Sequence, residues 1–273
     1  MTRTTTPILT SPLTLRTAAH QIQGPRDRQE DALLHAPDLG LFGVFDGMGG
    51  ERDGDRNSHL AASTLLDCWS GDGCPRTDGG LSRAWTATLD HLDRELPHGD
   101  TTATVGVVLG GGRCLLVLHI GDSAITRLRG GEATRLTERH GEGHWVFKTM
   151  RGGPTHRRRP IPRLRETPDT HIIPLIPGDV LVFHTDGLDD VMASSAPHKL
   201  ALTRDPRKIA IGLCAEAMLA QTEDNASCVV IVVDAPTPTD ASALEAAGRW
   251  AGVGVDGGLM LAAAEALGCK EAE

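Results

Sequence analysis

Five short apolar runs, at residues 41–45, 104–109, 114–120, 180–184 and 228–233, constrain the fold of this chain more than any other feature. Their length and β-branched content read as strands. They bunch into meanders instead of alternating strictly with helices, which favours an α+β architecture of antiparallel sheets with helices outside over a doubly wound parallel sheet. Gly110, Gly111 and Gly112 separate the second and third runs and read as a hairpin turn, because glycine enters positive φ freely. Residues 58–69, 81–96 and 206–221 read as helices, the last two with apolar residues three or four apart.

Composition narrows the function. A net charge of −9 argues against a general nucleic-acid binder, and 3% aromatic residues with no tyrosine remove the stacking platforms of single-strand binders. The six cysteines contain no C-x-x-C and read as reduced, mostly buried thiols. No segment approaches the ~20 apolar residues of a membrane span, so a cytoplasmic protein with no membrane contact is expected. A chain of 273 residues with 40% hydrophobic content holds a sizeable core. The expected organisation is an N-terminal tail (1–12), a main domain (13–234) and a linker with a short helical extension (235–273). Ala235-Pro236-Thr237-Pro238-Thr239 marks the end of the main domain, and 241–250 and 259–267 are the extension's two candidate helices. Residues 141–169, rich in Gly, Pro and Arg, read as an irregular flap between strands.

Aspartate placement carries the chemistry. Asp46 closes Phe42-Gly43-Val44-Phe45 and precedes Gly47, and Asp186 follows Leu181-Val182-Phe183-His184-Thr185 and precedes Gly187. Asp224 opens Asp224-Asn225-Ala226-Ser227, and Asp122 lies in Gly121-Asp122-Ser123. Strand ends are rigid and can aim several carboxylates at one point, as hard divalent cations require. A single Asp-Gly after a strand is commonly just a turn. Four carboxylates so placed shift the balance toward a shared ion site.

The ordered motifs Arg26-Asp27-Arg28-Gln29-Glu30-Asp31, Phe45-Asp46-Gly47-Met48-Gly49-Gly50, Asp100-Thr101-Thr102, Gly121-Asp122-Ser123, Asp186-Gly187-Leu188 and Asp224-Asn225 together resemble the metal-dependent protein serine/threonine phosphatases of type 2C, in their bacterial form. The resemblance spans roughly residues 13 to 234. It implies a central β-sandwich of two mainly antiparallel sheets flanked by α-helices, with a two-metal site at one end. It implies Asp46 as the carboxylate bridging both ions and the Gly47 carbonyl on one of them. Asp186 and Asp224 would be ligands of the first ion, and Glu30 or Asp31 the acidic contribution near the second. Asp122 matches the position that recruits a third, weaker ion, and Arg26 the arginine that grips the substrate phosphate.

The residue types suit that chemistry on their own terms. Two Mg²⁺ or Mn²⁺ ions roughly 3.5–4 Å apart can bridge a water, lower its pKa and hold phosphoryl oxygens during in-line attack. No covalent intermediate is needed, and no Cys-x5-Arg loop of a cysteine phosphatase is present. The expected activity is hydrolysis of phosphoserine or phosphothreonine in proteins, opposing a Ser/Thr kinase, by a monomer. Two alternatives are an inactive pseudophosphatase that binds phosphoproteins and a small-molecule phosphomonoesterase.

Several positions depart from the family's pattern. Met48 stands where histidine is frequent, Ala124 where arginine is expected, Asp55 where glutamate is common, and Arg139 in Leu136-Thr137-Glu138-Arg139-His140 where an aspartate belongs. The flap arginines 151, 157, 158, 159, 163 and 165 read either as a basic lid over the acidic cleft or as a solvated loop. His140 and His144 are flanked by glycines and do not form a helical zinc pair. The stretch from Asp53 to Asn57 fails as a calcium loop, with Ser58 at position six and Thr64 at position twelve.

Overall fold

The computed structural model describes residues 13–48, 53–71, 76–96, 98–109, 111–142, 145–151 and 166–235. The strands are β1 (Thr14–Ile22), β2 (Asp31–Ala36), β3 (Leu41–Asp46), β4 (Ala103–Leu109), β5 (Cys114–Ile120), β6 (Ala124–Arg129), β7 (Glu132–Arg135), β8 (Gly141–Glu142), β9 (Trp145–Val146), β10 (Asp169–Pro174), β11 (Val180–His184) and β12 (Ala226–Asp234). The helices are α1 (Gly54–Ser70), α2 (Asp78–Glu95), α3 (Asp189–Met192), α4 (Ala196–Ala201) and α5 (Pro206–Leu219). One sheet runs β1-β12-β11-β6-β7 and the other β10-β5-β4-β3-β2, with every neighbour antiparallel. This is the expected α+β sandwich.

The five apolar runs became β3, β4, β5, β11 and β12, and their continuity has a physical cause: each is covered on both faces. Phe42, Val44, Leu115, Val117, Leu181, Phe183, Val229 and Ile231 fill the space between the sheets. The alternate residues Leu41, Phe45, Leu116 and Leu118 meet α1 and α2, through Leu65, Trp69, Leu81, Trp85 and Leu89. On the opposite side Val180, Val182, Val230 and Val232 meet Ile209, Leu213 and Ala217 of α5. The apolar positions of all three long helices recur every three or four residues, so each helix buries one stripe. Thr77 caps α2 by accepting from Gly80 N–H, and Asp205 caps α5 by accepting from Arg207 and Lys208 N–H ahead of Pro206. Among the described residues, no helix is long and apolar enough to cross a membrane.

The flap expectation changes at its near end. β8 (Gly141–Glu142) pairs with β9 (Trp145–Val146), and Thr149, Met150 and Arg151 are buried. Arg151 is neither lid nor solvated loop. Only 3% exposed, it donates to Asp93 Oδ1 (3.0 Å), Asn57 Oδ1 (3.2 Å) and the carbonyls of Leu96 (2.6 Å) and Gly99 (3.1 Å), which a guanidinium with five donors can satisfy together. Arg157, Arg158, Arg159, Arg163, Arg165, His144, the N-terminal tail and the two candidate C-terminal helices lie outside the described residues.

Candidate metal centre

Antiparallel pairing puts the C-terminal ends of β3, β5 and β11 at the same edge of the sandwich as the starts of β2, β4 and β12. Asp46 is the last residue of β3 and pairs with Asp31, the first of β2. Asp122 lies just past β5, Asp186 just past β11, and Asp224 just before β12. Carboxylate oxygens of Asp46, Asp122 and Asp186 lie within 4.8 Å of one another. A cavity of about 160 Å³ opens over them, lined also by Arg26, Glu30, Gly47, Met48, Thr102, Asp224 and Asn225. A larger one of about 470 Å³ adjoins it, sharing Arg26, Asp186 and Asp224 and adding Arg139 and Asp189. Of the residues the resemblance implies as ion or phosphate ligands, Asp31 alone is absent from the lining of both cavities. Its Oδ2 accepts from Thr185 Oγ1 at 2.9 Å, behind Asp46.

Crowded, buried carboxylates resist ionisation. Burial first, and then the charges of Asp31, Asp186, Asp122 and Asp224, raise Asp46 well above its ordinary value. Burial followed by Asp122, Asp224 and Asp189 pushes Asp186 up to about 7. Burial also pushes Asp31 to about 7, against the hydrogen bond from Thr185 that favours its charge. Glu30 is raised by burial and then by Asp55. Such a cluster either holds protons or takes a cation. Asp122 Oδ1 and Asp186 Oδ1 are buried with no hydrogen-bond partner. All-oxygen donors with two orphaned lone-pair sites fit a hard divalent ion better than zinc or copper.

The surrounding loops are locked by groups to which sequence reasoning gave no role. Thr102 Oγ1 accepts from Asp46 N–H (3.0 Å), while the Asp46 carbonyl accepts from Thr102 N–H (2.9 Å) and Thr101 Oγ1 (2.9 Å). Asn225 Oδ1 accepts from Glu30 N–H (2.8 Å), and its Nδ2 donates to the carbonyls of Gln23 (2.6 Å) and Arg28 (2.9 Å), fastening the loop that carries Arg26 and Glu30. The hydroxyl and amide residues beside the aspartate motifs were the available signal. Gly47 is required by space: a Cβ there would collide with the Gly54 and Glu30 carbonyls. Arg26 donates through Nε to the Glu223 carbonyl (2.8 Å) and through Nη2 to Asp224 Oδ2 (2.6 Å). His140 is a structural group whose Nδ1 accepts from Gly121 N–H (3.1 Å) while Nε2 meets Asp169 Oδ2 (2.9 Å).

No family model matches the chain. It is, however, 30% identical over 220 residues to "Probable protein phosphatase 2C 10" of Arabidopsis thaliana, covering 71% of this chain and 77% of the relative. The chain belongs to the protein phosphatase 2C family. Its fold matches the phosphatase MsPP of Mycobacterium smegmatis, solved with cacodylate, at a TM-score of 0.64 and 27% identity over 81% of this chain and 99% of that one. The catalytic domain of the serine/threonine protein phosphatase PstP, solved with two manganese ions, matches at 0.63 and 22% identity over 81% and 99%. The type 2C sandwich of those structures is the arrangement that gathers the acidic strand ends here.

Proposed function

We propose that this chain hydrolyses phosphoserine and phosphothreonine in proteins with two Mn²⁺ or Mg²⁺ ions held at the acidic end of the sandwich. The observation that carries this reading is the convergence of Asp46, Asp122 and Asp186, two of them with orphaned oxygens, under a cavity that Arg26, Glu30 and Asp224 also line. Asp46, central to the cluster, would hold both ions, with the Gly47 carbonyl on one of them. Asp186 and Asp224 would hold one ion and Glu30 would contribute to the other, with Asp31 as support through Thr185 and its pairing with Asp46. The ions, when bound, supply an activated water and withdraw charge from the phosphoryl oxygens.

The chain's own groups do the rest. Arg26 presents a fixed fork of donors at the cavity wall and orients the phosphate for in-line attack. Its acceptor Asp224 would be an ion ligand, and an ion held there would compete with Arg26 for that carboxylate and leave the guanidinium free for phosphate. Thr101, Thr102 and Asn225 fix the backbone on which Asp46 and Glu30 ride, so the ligands do not have to find one another. The substrates are products of a Ser/Thr kinase. Retention of Asp46, Asp186 and Asp224 leaves no observation that favours a non-catalytic reading.

The test is hydrolysis of a phosphothreonine peptide and of p-nitrophenyl phosphate by the purified chain with Mn²⁺, Mg²⁺ or chelator, beside Asp46→Ala. The expected result is metal-dependent turnover that prefers the peptide and is lost in the variant. Turnover that survives chelation, or Asp46→Ala, would remove the two-ion assignment.

A further inference from the structure

The two oxygens of Asp122 have different surroundings. Oδ1 is a buried orphan, whereas Oδ2 meets Arg139 Nη2 at 3.4 Å. The same guanidinium gives Nη1 to Asp189 Oδ2 at 2.8 Å. Asp189 is held from its other oxygen by Arg135 Nη1 at 3.4 Å, and Arg135 Nη2 is anchored on the Asp122 carbonyl at 2.5 Å. Arg139 therefore bridges two carboxylates whose charges both raise Asp186. Two guanidinium charges against two carboxylate charges leave this outer edge neutral before any ion arrives.

We propose that Arg139 is a built-in cation that occupies the space between Asp122 and Asp189, so that the chain takes two divalent ions and has no room for a third. The inference rests on the two-ion reading above and goes beyond it. A mobile ion could enter between Asp122 and Asp189 only by displacing a guanidinium that makes hydrogen bonds to both, and would meet the like charge of Arg139 and Arg135 on arrival. The arrangement also divides the work of Asp122: Oδ2 is spent on Arg139, which leaves Oδ1 as the oxygen available to an ion of the inner site. Arg139 is thus a positioning residue for the inner site and a stopper for the outer one. Unlike an ion, it cannot be removed by chelation and cannot activate a water.

Titration of the full chain with Mn²⁺, by calorimetry and by the paramagnetic resonance signal of the free ion, tests this independently of turnover. The parent and Arg139→Lys should saturate at two ions. Arg139→Ala and Arg139→Gln, the latter keeping an amide donor in case the smaller side chain unfolds the loop, should bind a third ion at least tenfold more weakly than the first two. Adding Asp189→Asn to either should return the count to two. Three ions in the parent, two in both uncharged variants, or a third ion that survives Asp189→Asn would each overturn the proposal. Fewer than two ions in the parent would overturn the two-ion function itself and this inference with it, which separates the two failures.

Discussion

Burial and like charge act in the same direction on Asp31, Asp46 and Asp186, so without an ion these side chains hold protons that the unfolded chain, with carboxyls near 3.8, would release. Between roughly pH 4 and 7 the folded state then binds more protons than the unfolded state, and stability falls as pH rises through that window. The melting temperature of metal-free protein should therefore drop between about pH 5 and 7.5, and saturating Mn²⁺ should remove the drop. A flat profile without metal would mean the carboxylates are already ionised. Asp186→Asn deletes one crowded charge and one ligand together. It should abolish turnover while leaving the metal-free melting temperature at pH 7.5 equal to or above that of the parent, a combination that loss of fold would not give. Arg26→Ala should raise KM for small phosphoesters about tenfold or more with a smaller change in kcat, because its donors hold phosphate in ground and transition states alike. A KM equal to the parent's would assign the phosphate to another group, with Arg139, on the adjoining cavity, the first candidate.

Among the elements, the segment running from β9 to Arg151 ties the flap to the body. Thr149 Oγ1 donates to Asp100 Oδ2 at 2.6 Å, Met150 N–H donates to the Thr101 carbonyl at 3.0 Å, and Arg151 fills the gap between α1 and the end of α2. Arg151→Met should cost about 3 kcal/mol in urea denaturation, since it leaves buried carbonyls and Asn57 without a donor. A cost below 1 kcal/mol would show that water replaces the guanidinium. This segment also shows where sequence legibility ends. The central strands were readable because a strand covered on both faces is apolar throughout, and the aspartates were readable because they punctuate those strands. β1, with residues such as Arg16 and Gln21, and the fully exposed β7 carry no such run and were not anticipated. Arg151 sat among flap arginines in the chain, and nothing local distinguished it. Arg139 and Asp189 are 50 residues apart, and their pairing is set by the sandwich alone.

At the scale of the molecule, Phe183 stands between the sheets, fully buried, where the missing side chain of Gly106 makes room for its ring. Phe183→Ala should destabilise the fold by about 3–5 kcal/mol, measured by chemical denaturation. It should also weaken metal affinity, because Phe183 lies three residues from Asp186. Unaltered affinity in the folded variant would show that the acidic end is insulated from the core. Five separate strand ends, each rooted in that core, supply the acidic residues. The receptacle is therefore framed by strand pairing and core packing, unlike a zinc finger, whose shape is supplied by its metal. Chelation should accordingly remove activity and leave the sandwich folded, which circular dichroism of the metal-stripped chain would check.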